Sequence, residues 1–385
     1  MPYRIEKLVQ GGDGLSTTDE GKRLFIPEVL ENEVVEAKII QQKPGYAIGE
    51  VTSIVEASDV RIHPPCPYWG ICGGCDFQYA HPEAQGGIKQ QIVLDNLARL
   101  GSLDLEKIVV EPVETGPAFA YRNRVRFHVD LAGKQVGFLG KKSNTLVPIK
   151  SCMVLTDALN ALLADPQPLF AAARKLMFAN RKGKGGFLEV PVFAADSKLS
   201  FFDEEVVATV GRRQFVVTSE VFFQSNFFLL SSLGEYVAAH AIGSSVMDLY
   251  SGVGTFSAFL EQEGRHLIAV ERQKQCLNLA RRNVKQCEYY TQAVEEWAKG
   301  REAQVDTVVV DPPRIGLDES LVPLIASWKP MRIIYVSCNS VTLGRDLQRF
   351  ASEGYTVGKV KVFDFYPQTF HHEVVAILDR GGAEV

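Results

Sequence analysis

No run of about 18 consecutive apolar residues occurs in this sequence, so no segment reads as a membrane-spanning helix and no membrane partner is expected. The opening Met1-Pro2-Tyr3-Arg4-Ile5-Glu6 lacks the basic-then-apolar succession of a secretory leader, and a cytoplasmic location is the expectation. Internal repeats and low-complexity tracts are also missing, which removes solenoids and fibrous arrays. Surplus positive charge is absent too: the formal net charge is −5. Nucleic-acid binding wants a positive footprint, so any such contact must come from local basic clusters. An even cysteine count is lacking. The seven present are Cys66, Cys72, Cys75, Cys152, Cys276, Cys287 and Cys338. In a chain of this expected location they suit metal binding or catalysis better than a disulfide framework.

What is there is an ordinary globular composition, 46% apolar, over 385 residues, enough for two or three domains. Residues 1–60 read as short strands: Leu24-Phe25-Ile26-Pro27, Glu33 to Ile40 and Ala47 to Val51, punctuated by Gly11-Gly12-Asp13-Gly14 and Lys43-Pro44-Gly45. So many short strands suggest a small OB-type β-barrel, commonly a single-stranded nucleic-acid binder; a purely structural β appendage is the other reading. His63-Pro64-Pro65 opens a central segment, 61–217, of mixed α+β character. It holds an expected helix over Lys89–Leu100, a hairpin over Tyr121–Leu139, helical residues 153–180 and alternating strands over 187–217. From 218 to 385 the pattern becomes strand, glycine turn and helix, repeated, which is an α/β domain with a parallel sheet.

Cys66-x5-Cys72-x2-Cys75 is compact, with Gly73-Gly74 letting the backbone wrap between the thiols. Cys152, alone in Lys150-Ser151-Cys152-Met153, is a candidate fourth ligand. Four thiolates suit zinc or an iron–sulfur cluster, and paired CxxC units, the more usual zinc spacing, are not what stands here. In Tyr121-Arg122-Asn123-Arg124-Val125-Arg126-Phe127 the arginines alternate, so on a strand Arg122, Arg124 and Arg126 share a face. Three like charges there make sense opposite RNA phosphates, or paired with acids. Lys141-Lys142 and the basic run at 181–184 are weaker patches.

Ser245-Val246-Met247-Asp248-Leu249-Tyr250 is a strand leading into Ser251-Gly252-Val253-Gly254-Thr255, between strand and helix, where helix N–H groups can meet a ligand. Glu271 ends the next strand, placed to bond ribose hydroxyls. The third glycine of the dinucleotide fingerprint is replaced by Ser257, which fits S-adenosylmethionine better than NAD. Val305 to Val310 is a buried-type strand ending in Asp311-Pro312-Pro313-Arg314, and the prolines stop it with Asp311 at the carboxyl edge.

Strand Arg332–Val336 delivers Cys338 to that same edge. The link from Asp364 to His372 is too short for a crossover helix, so the strand that opens at Glu373 should return antiparallel. If it inserts beside Arg332–Val336, Cys338 and Glu373 are neighbours. A thiol nucleophile and a carboxylate base suit methylation of a poorly nucleophilic carbon. Sulfur adding to carbon 6 of uracil makes carbon 5 nucleophilic, and a base must later remove the carbon 5 proton. A free cysteine is only roughly 3% thiolate at pH 7 from a reference pKa of about 8.5, so Cys338 needs activation. Val221-Phe222-Phe223-Gln224 upstream offers aromatic rings for a flipped-out base.

With these residues assembled, the chain resembles the RNA 5-methyluridine (uracil-C5) methyltransferase family over nearly its whole length. Asp311-Pro312-Pro313-Arg314-Ile315-Gly316, Ser337-Cys338-Asn339 and His372-Glu373 match its signature motifs. The resemblance implies a class I, Rossmann-like methyltransferase domain over 218–385 and an N-terminal TRAM domain of OB type. It also implies a four-iron, four-sulfur cluster on Cys66, Cys72, Cys75 and Cys152 in the central domain. It puts Gln224, Tyr250, Thr255, Glu271 and Asp311, with Gln292 after the third strand, at the S-adenosylmethionine site, and Phe222 against the target base. TRAM domain and cluster together point to the branch acting on 23S ribosomal RNA, working as a monomer without an obligate protein partner. The T-loop uridine of tRNA is the alternative substrate. An inert methyltransferase fold serving RNA binding or redox sensing is the alternative of another class. Ser340 replaces a common proline, Tyr366 the usual phenylalanine, and Thr255 an asparagine seen in some members.

Overall fold

The computed structural model describes residues 2–179, 186–196 and 198–381; the basic run at 181–184 lies outside them. The N-terminal strands are β1 (Pro2–Arg4), β2 (Lys7–Leu8), β3 (Gly14–Thr17), β4 (Arg23–Ile26), β5 (Val34–Gln42) and β6 (Tyr46–Glu56). They form one six-stranded sheet in the order β1-β5-β6-β4-β3-β2. Ile5, Leu24, Ile26, Val29 and Val35 fill its core. The buried Glu33 carboxylate receives Arg61 Nη2 at 2.7 Å and the Leu30 amide at 2.8 Å, which ties the following linker back to the sheet.

Next come α1 (Pro82–Leu100) and the short β7 (Val109–Val110). The helix starts a turn and more before its expected onset at Lys89. Pro82 at the first helical position suits initiation, while Gly86-Gly87, poor helix formers, hide the first turns from a propensity reading. Five strands follow: β8 (Arg124–Asp130), β9 (Gln135–Leu139), β10 (Leu146–Pro148), β11 (Leu188–Ala195) and β12 (Lys198–Phe201). Their order is β10-β9-β8-β11-β12. Helices α2 (Asp157–Ala164) and α3 (Gln167–Phe178), separated at Asp165-Pro166, cover this sheet and share a core with Phe127, Val129, Val190 and Val192. β13 (Val206–Val210) and β14 (Arg213–Val217) make a separate hairpin.

The remaining elements are α4 (Phe227–His240), β15 (Ser245–Leu249), α5 (Thr255–Leu260), β16 (His266–Glu271), α6 (Lys274–Asn283), β17 (Glu288–Thr291) and α7 (Val294–Ala298). They continue with β18 (Thr307–Val310), α8 (Leu321–Ser327), β19 (Arg332–Ser337), α9 (Ser340–Ser352), β20 (Tyr355–Phe363) and β21 (Glu373–Arg380). One eight-stranded sheet runs β17-β16-β15-β18-β19-β21-β20-β7. Strands β15 to β19 are mutually parallel, and β21 is antiparallel to both neighbours. Apolar cores lie on both faces of the sheet, as an α/β sheet requires. β7 pairs parallel with β20, and Val93 and Leu97 of α1 pack with Leu343, Leu347 and Phe350 of α9. The stretch 82–110 thus covers and extends the C-terminal sheet. Strand order reverses at β15 and β18, and open α/β folds bind ligands outside the carboxyl ends at such a point.

Candidate active site

The crevice at the reversal is built by the turn after β15. Tyr250, Gly252 and Gly254 take positive φ values of 64, 55 and 81°. At Gly254 the positive φ favours glycine, and a Cβ would also crowd Val284 Cγ2 at 3.1 Å. Ser257, at the position of the missing third glycine, has a role of its own: its amide donates to Asp248 Oδ2 at 2.9 Å. Burial pushes the Asp248 carboxyl up to about 7 despite the Ser257 bonds. Its second oxygen, and the Ser251 hydroxyl nearby, are buried without a hydrogen-bond partner.

Glu271, at the end of β16, accepts from the Gly252 amide at 3.1 Å and the Gln273 amide at 2.7 Å. Its carboxylate is therefore fixed against the glycine turn. Asp311 follows β18, and loss of solvent, then the Asp248 charge, pushes it up to about 7. Thr255 opens α5. Tyr250 donates its hydroxyl to Glu295 Oε1 at 2.5 Å, which fixes the ring against α7. Gln292 is exposed beyond β17, its amide bonded to Glu271 O at 3.1 Å. The crevice thus collects carboxylates, Asp248, Glu271 and Asp311, on one edge.

Cys338 and Glu373 meet at that edge. The register pairs Arg332 with Asp379 and Ser337 with Val374, and one residue further along it sets Cys338 opposite Glu373. Burial, then the Glu373 charge, then Asp311 push the Cys338 thiol up to about 12, and a hydrogen bond and charge from Arg314 oppose them. Glu373 is 3% exposed. Burial and then Asp311 push it up to about 8, while a donor from Gln224 and the Arg314 charge pull the other way. Gln224 Nε2 donates to Glu373 Oε1 at 3.3 Å, and Gln224 Oε1 accepts from the Tyr366 hydroxyl at 2.7 Å.

Arg314 is held from the first turn of α9. Asn339 caps that helix through the Val341 amide at 3.1 Å, and its own amide nitrogen donates to Arg314 O at 3.0 Å. The loop before Glu373 is clasped from the other side. Tyr121 donates to Pro367 O at 2.9 Å, and the Asp76 and Phe77 amides, directly after Cys75, donate to Gln368 O at 2.9 and 3.0 Å. Gln85 Oε1 accepts from the Gln368 amide at 2.7 Å, and Lys89 pairs with Asp364. Sequence reading assigned no role to Lys89, Gln85, Tyr121 or Arg314. A lysine in an apolar helix face is the signal that could have flagged Lys89, since a buried ammonium needs a partner.

A cavity of 580 Å³ adjoins this centre, reaching from Arg314, Tyr366 and His371 to Cys66, Cys72, Cys75 and Cys152. The four thiols therefore share one space, and their charges act on one another. Burial pushes Cys75 up to about 12. Among the described residues no three His, Cys, Asp or Glu side chains are spaced to hold a metal ion. Arg122, Arg124 and Arg126 line the same cavity. Arg124 donates to Ser219 O at 3.2 Å, and its guanidinium lies 5.8 Å from the ring centre of Phe222, which is 60% exposed. Arg126 has an acid partner, Glu189, at 3.6 Å. Arg122 Nε donates to Arg124 O at 3.1 Å.

Comparison with known proteins places this geometry. A family model described as tRNA (Uracil-5-)-methyltransferase matches residues 299–381, which include Asp311, Cys338 and Glu373. An uncharacterized RNA methyltransferase of Treponema denticola is 31% identical over 412 residues, 98% of this chain and 98% of that one. A second, from Halalkalibacterium halodurans, is 29% identical over 97% of this chain and 96% of its own. The chain belongs to the RNA (uracil-5-)-methyltransferase family. Among solved structures, the Pyrococcus abyssi tRNA (uracil-54, C5)-methyltransferase in complex with S-adenosyl-L-homocysteine matches with a TM-score of 0.74 at 21% identity. The match covers 98% of this chain and 100% of that one, and the fold is shared.

Proposed function

We propose that this protein transfers a methyl group from S-adenosylmethionine to carbon 5 of a uridine in 23S ribosomal RNA through a covalent cysteine–uracil adduct. The observation that carries this reading is the register that sets Cys338 opposite Glu373 beside the carboxylate-lined crevice. The crevice residues suit the methyl donor. Asp311 and, behind it, the buried Asp248 supply negative charge that a sulfonium and an ammonium would neutralise. Glu271 keeps lone pairs for ribose hydroxyls, and Gln224, Tyr250, Thr255 and Gln292 bound the rest. The unpartnered Ser251 hydroxyl and Asp248 oxygen are groups such an occupant would satisfy. When bound, the cofactor supplies an electrophilic methyl and a positive charge next to Asp311.

Phe222, exposed beside Arg124, stacks the flipped base. The Cys338 thiolate, its proton lost to solvent, would bond to carbon 6 as the carbon 5–carbon 6 π pair moves onto the carbon 4 carbonyl; carbon 5 would then take the methyl as the donor's S–CH3 bond breaks and S-adenosylhomocysteine leaves. Glu373 accepts the carbon 5 proton; the electron pair restores the ring double bond as the carbon–sulfur bond breaks and the thiolate leaves. Arg314, which bonds the Cys338 thiol, is the group of this chain that favours its thiolate.

Cys66, Cys72, Cys75 and Cys152 would hold a four-iron, four-sulfur cluster. What supports this is that the four thiols line one cavity, and the part of the cluster here is to brace the loop that Asp76 and Phe77 tie to Gln368. Residues 1–60 serve as a TRAM-type RNA-binding domain and 61–217 carry the cluster. Residues 218–385 carry catalysis, in a cytoplasmic monomer, and Arg122 and Arg124 meet RNA phosphate. A tRNA substrate is the second reading, favoured by the description of the matching family model and the full-length likeness to the Pyrococcus enzyme. Methyl transfer to separate, unmodified 23S ribosomal RNA and tRNA transcripts distinguishes them. Incorporation into the ribosomal transcript alone is expected, and incorporation into tRNA alone would overturn the leading choice.

A further inference from the structure

Tyr366 differs from phenylalanine only in its hydroxyl, which the structure puts to use. That hydroxyl donates to Gln224 Oε1 at 2.7 Å, and Gln224 Nε2 donates to Glu373 Oε1 at 3.3 Å. A primary amide has one accepting end and one donating end. A donor held against Oε1 therefore turns the N–H end toward Glu373. Gln224 and Glu373 are both buried, 7% and 3% exposed, so solvent does not readily replace either partner.

We propose that Tyr366 is a positioning residue that fixes which end of the Gln224 amide faces Glu373, and thereby holds Glu373 as the proton acceptor. The proposal rests on the methyltransferase reading above. In that reaction the carbon 5–hydrogen bond breaks, the proton goes to Glu373 and the electron pair expels the Cys338 sulfur. Groups facing Glu373 act in both directions. Asp311, from the loop after β18, and Cys338, across the register, disfavour its anion, as the Tyr366 ring does by excluding solvent. Arg314 and the Gln224 N–H favour it. His372, adjacent in the chain, is kept neutral by burial and by Lys89. Without the tyrosine hydroxyl the amide is free to turn its oxygen toward Glu373, where it repels the carboxylate and accepts from the protonated acid.

The test is Tyr366→Phe, which removes one oxygen and keeps the ring, with a thermal melt to show the fold is retained. The probe is pooled unmodified 23S ribosomal RNA and tRNA transcripts carrying 5-tritiated uridine. Tritium release and adduct accumulation are followed against pH. The acid limb of tritium release is expected to move up by about 0.5–1 pH unit, a loss of about three- to tenfold on that limb, with more adduct present at steady state. The alkaline plateau stays in place. Superimposable profiles for Tyr366→Phe and the native protein overturn the proposal. Glu373→Gln in the same assay separates the two levels. If it stalls as an adduct while Tyr366→Phe behaves as native, only the positioning role fails. If Glu373→Gln releases tritium at the native rate, Glu373 is not the proton acceptor and the proposal falls; if the native protein itself releases none, the methyltransferase reading fails.

Discussion

Replacing Lys89 by methionine tests how the loop before Glu373 is anchored. The Lys89 side chain is 0% exposed and pairs with Asp364, which is 3% exposed. The same ammonium donates to Tyr366 O at 3.0 Å. Burial pulls the lysine pKa down, and the Asp364 charge is the main force restoring it. Methionine keeps the length and the apolar stem, so packing changes little. What disappears is the cation against Asp364 and the donor to the Tyr366 carbonyl. Removing one partner of a buried pair costs about 3–5 kcal/mol, since the remaining charge is left uncompensated. Removing both charges, in Lys89→Met with Asp364→Leu, should recover a large part of that loss. The double-mutant cycle then gives a coupling energy of about 2 kcal/mol or more. Urea midpoints for the four proteins measure it. Because the loop carries Tyr366 and leads into Glu373, methyl transfer by Lys89→Met should fall by roughly ten- to hundredfold even where the protein remains folded. A Lys89→Met cost of less than about 1 kcal/mol, additive with Asp364→Leu, would refute the argument.

Three further outcomes are expected. Asp311→Asn removes a charge that holds the Glu373 carboxyl high, near 8, so the acid limb of tritium release should move to lower pH; an upward move contradicts the electrostatics, and weaker cofactor binding by equilibrium dialysis should accompany it. Phe222→Ala should weaken RNA binding or raise KM by about 1–3 kcal/mol with S-adenosylhomocysteine affinity unchanged, measured by filter binding and calorimetry; equal affinity for RNA would remove the stacking role. Cys152→Ser should yield colourless, iron-poor protein after anaerobic purification, with lowered activity because the loop after Cys75 that holds Gln368 is no longer braced; full iron content by elemental analysis would show that Cys152 is not a ligand.

Much of the C-terminal half is legible in the residues because its signals are local. The apolar runs over Ser245–Leu249, His266–Glu271 and Thr307–Val310 are parallel strands, each ended by a turn. The short Asp364–His372 link forbids a crossover, and that one constraint already brings Glu373 back to the edge where Cys338 follows β19. Contacts across the chain leave no such trace. Lys89 meets Asp364 at a separation of 275 positions, and Tyr366 meets Gln224 at 142. β7 is two residues long and gains its place only from β20. The first turns of α1 are masked by Gly86-Gly87. Ser257 reads as a lost glycine until its bond to Asp248 is seen. The proposed reacting pair could therefore be found in the sequence, whereas the residues that hold Glu373 and Arg314 in place could not.

The central claim is that one pyrimidine ring is gripped by sulfur on one side and deprotonated on the other. Mass spectrometry of nuclease-trimmed complexes formed by Glu373→Gln with methyl donor and unmodified RNA transcripts tests it directly. The account predicts a peptide containing Cys338 that carries a methylated uridine nucleotide, and no such species when Cys338→Ala is added. Methylated RNA released at the native rate with no nucleotide on that peptide would contradict it.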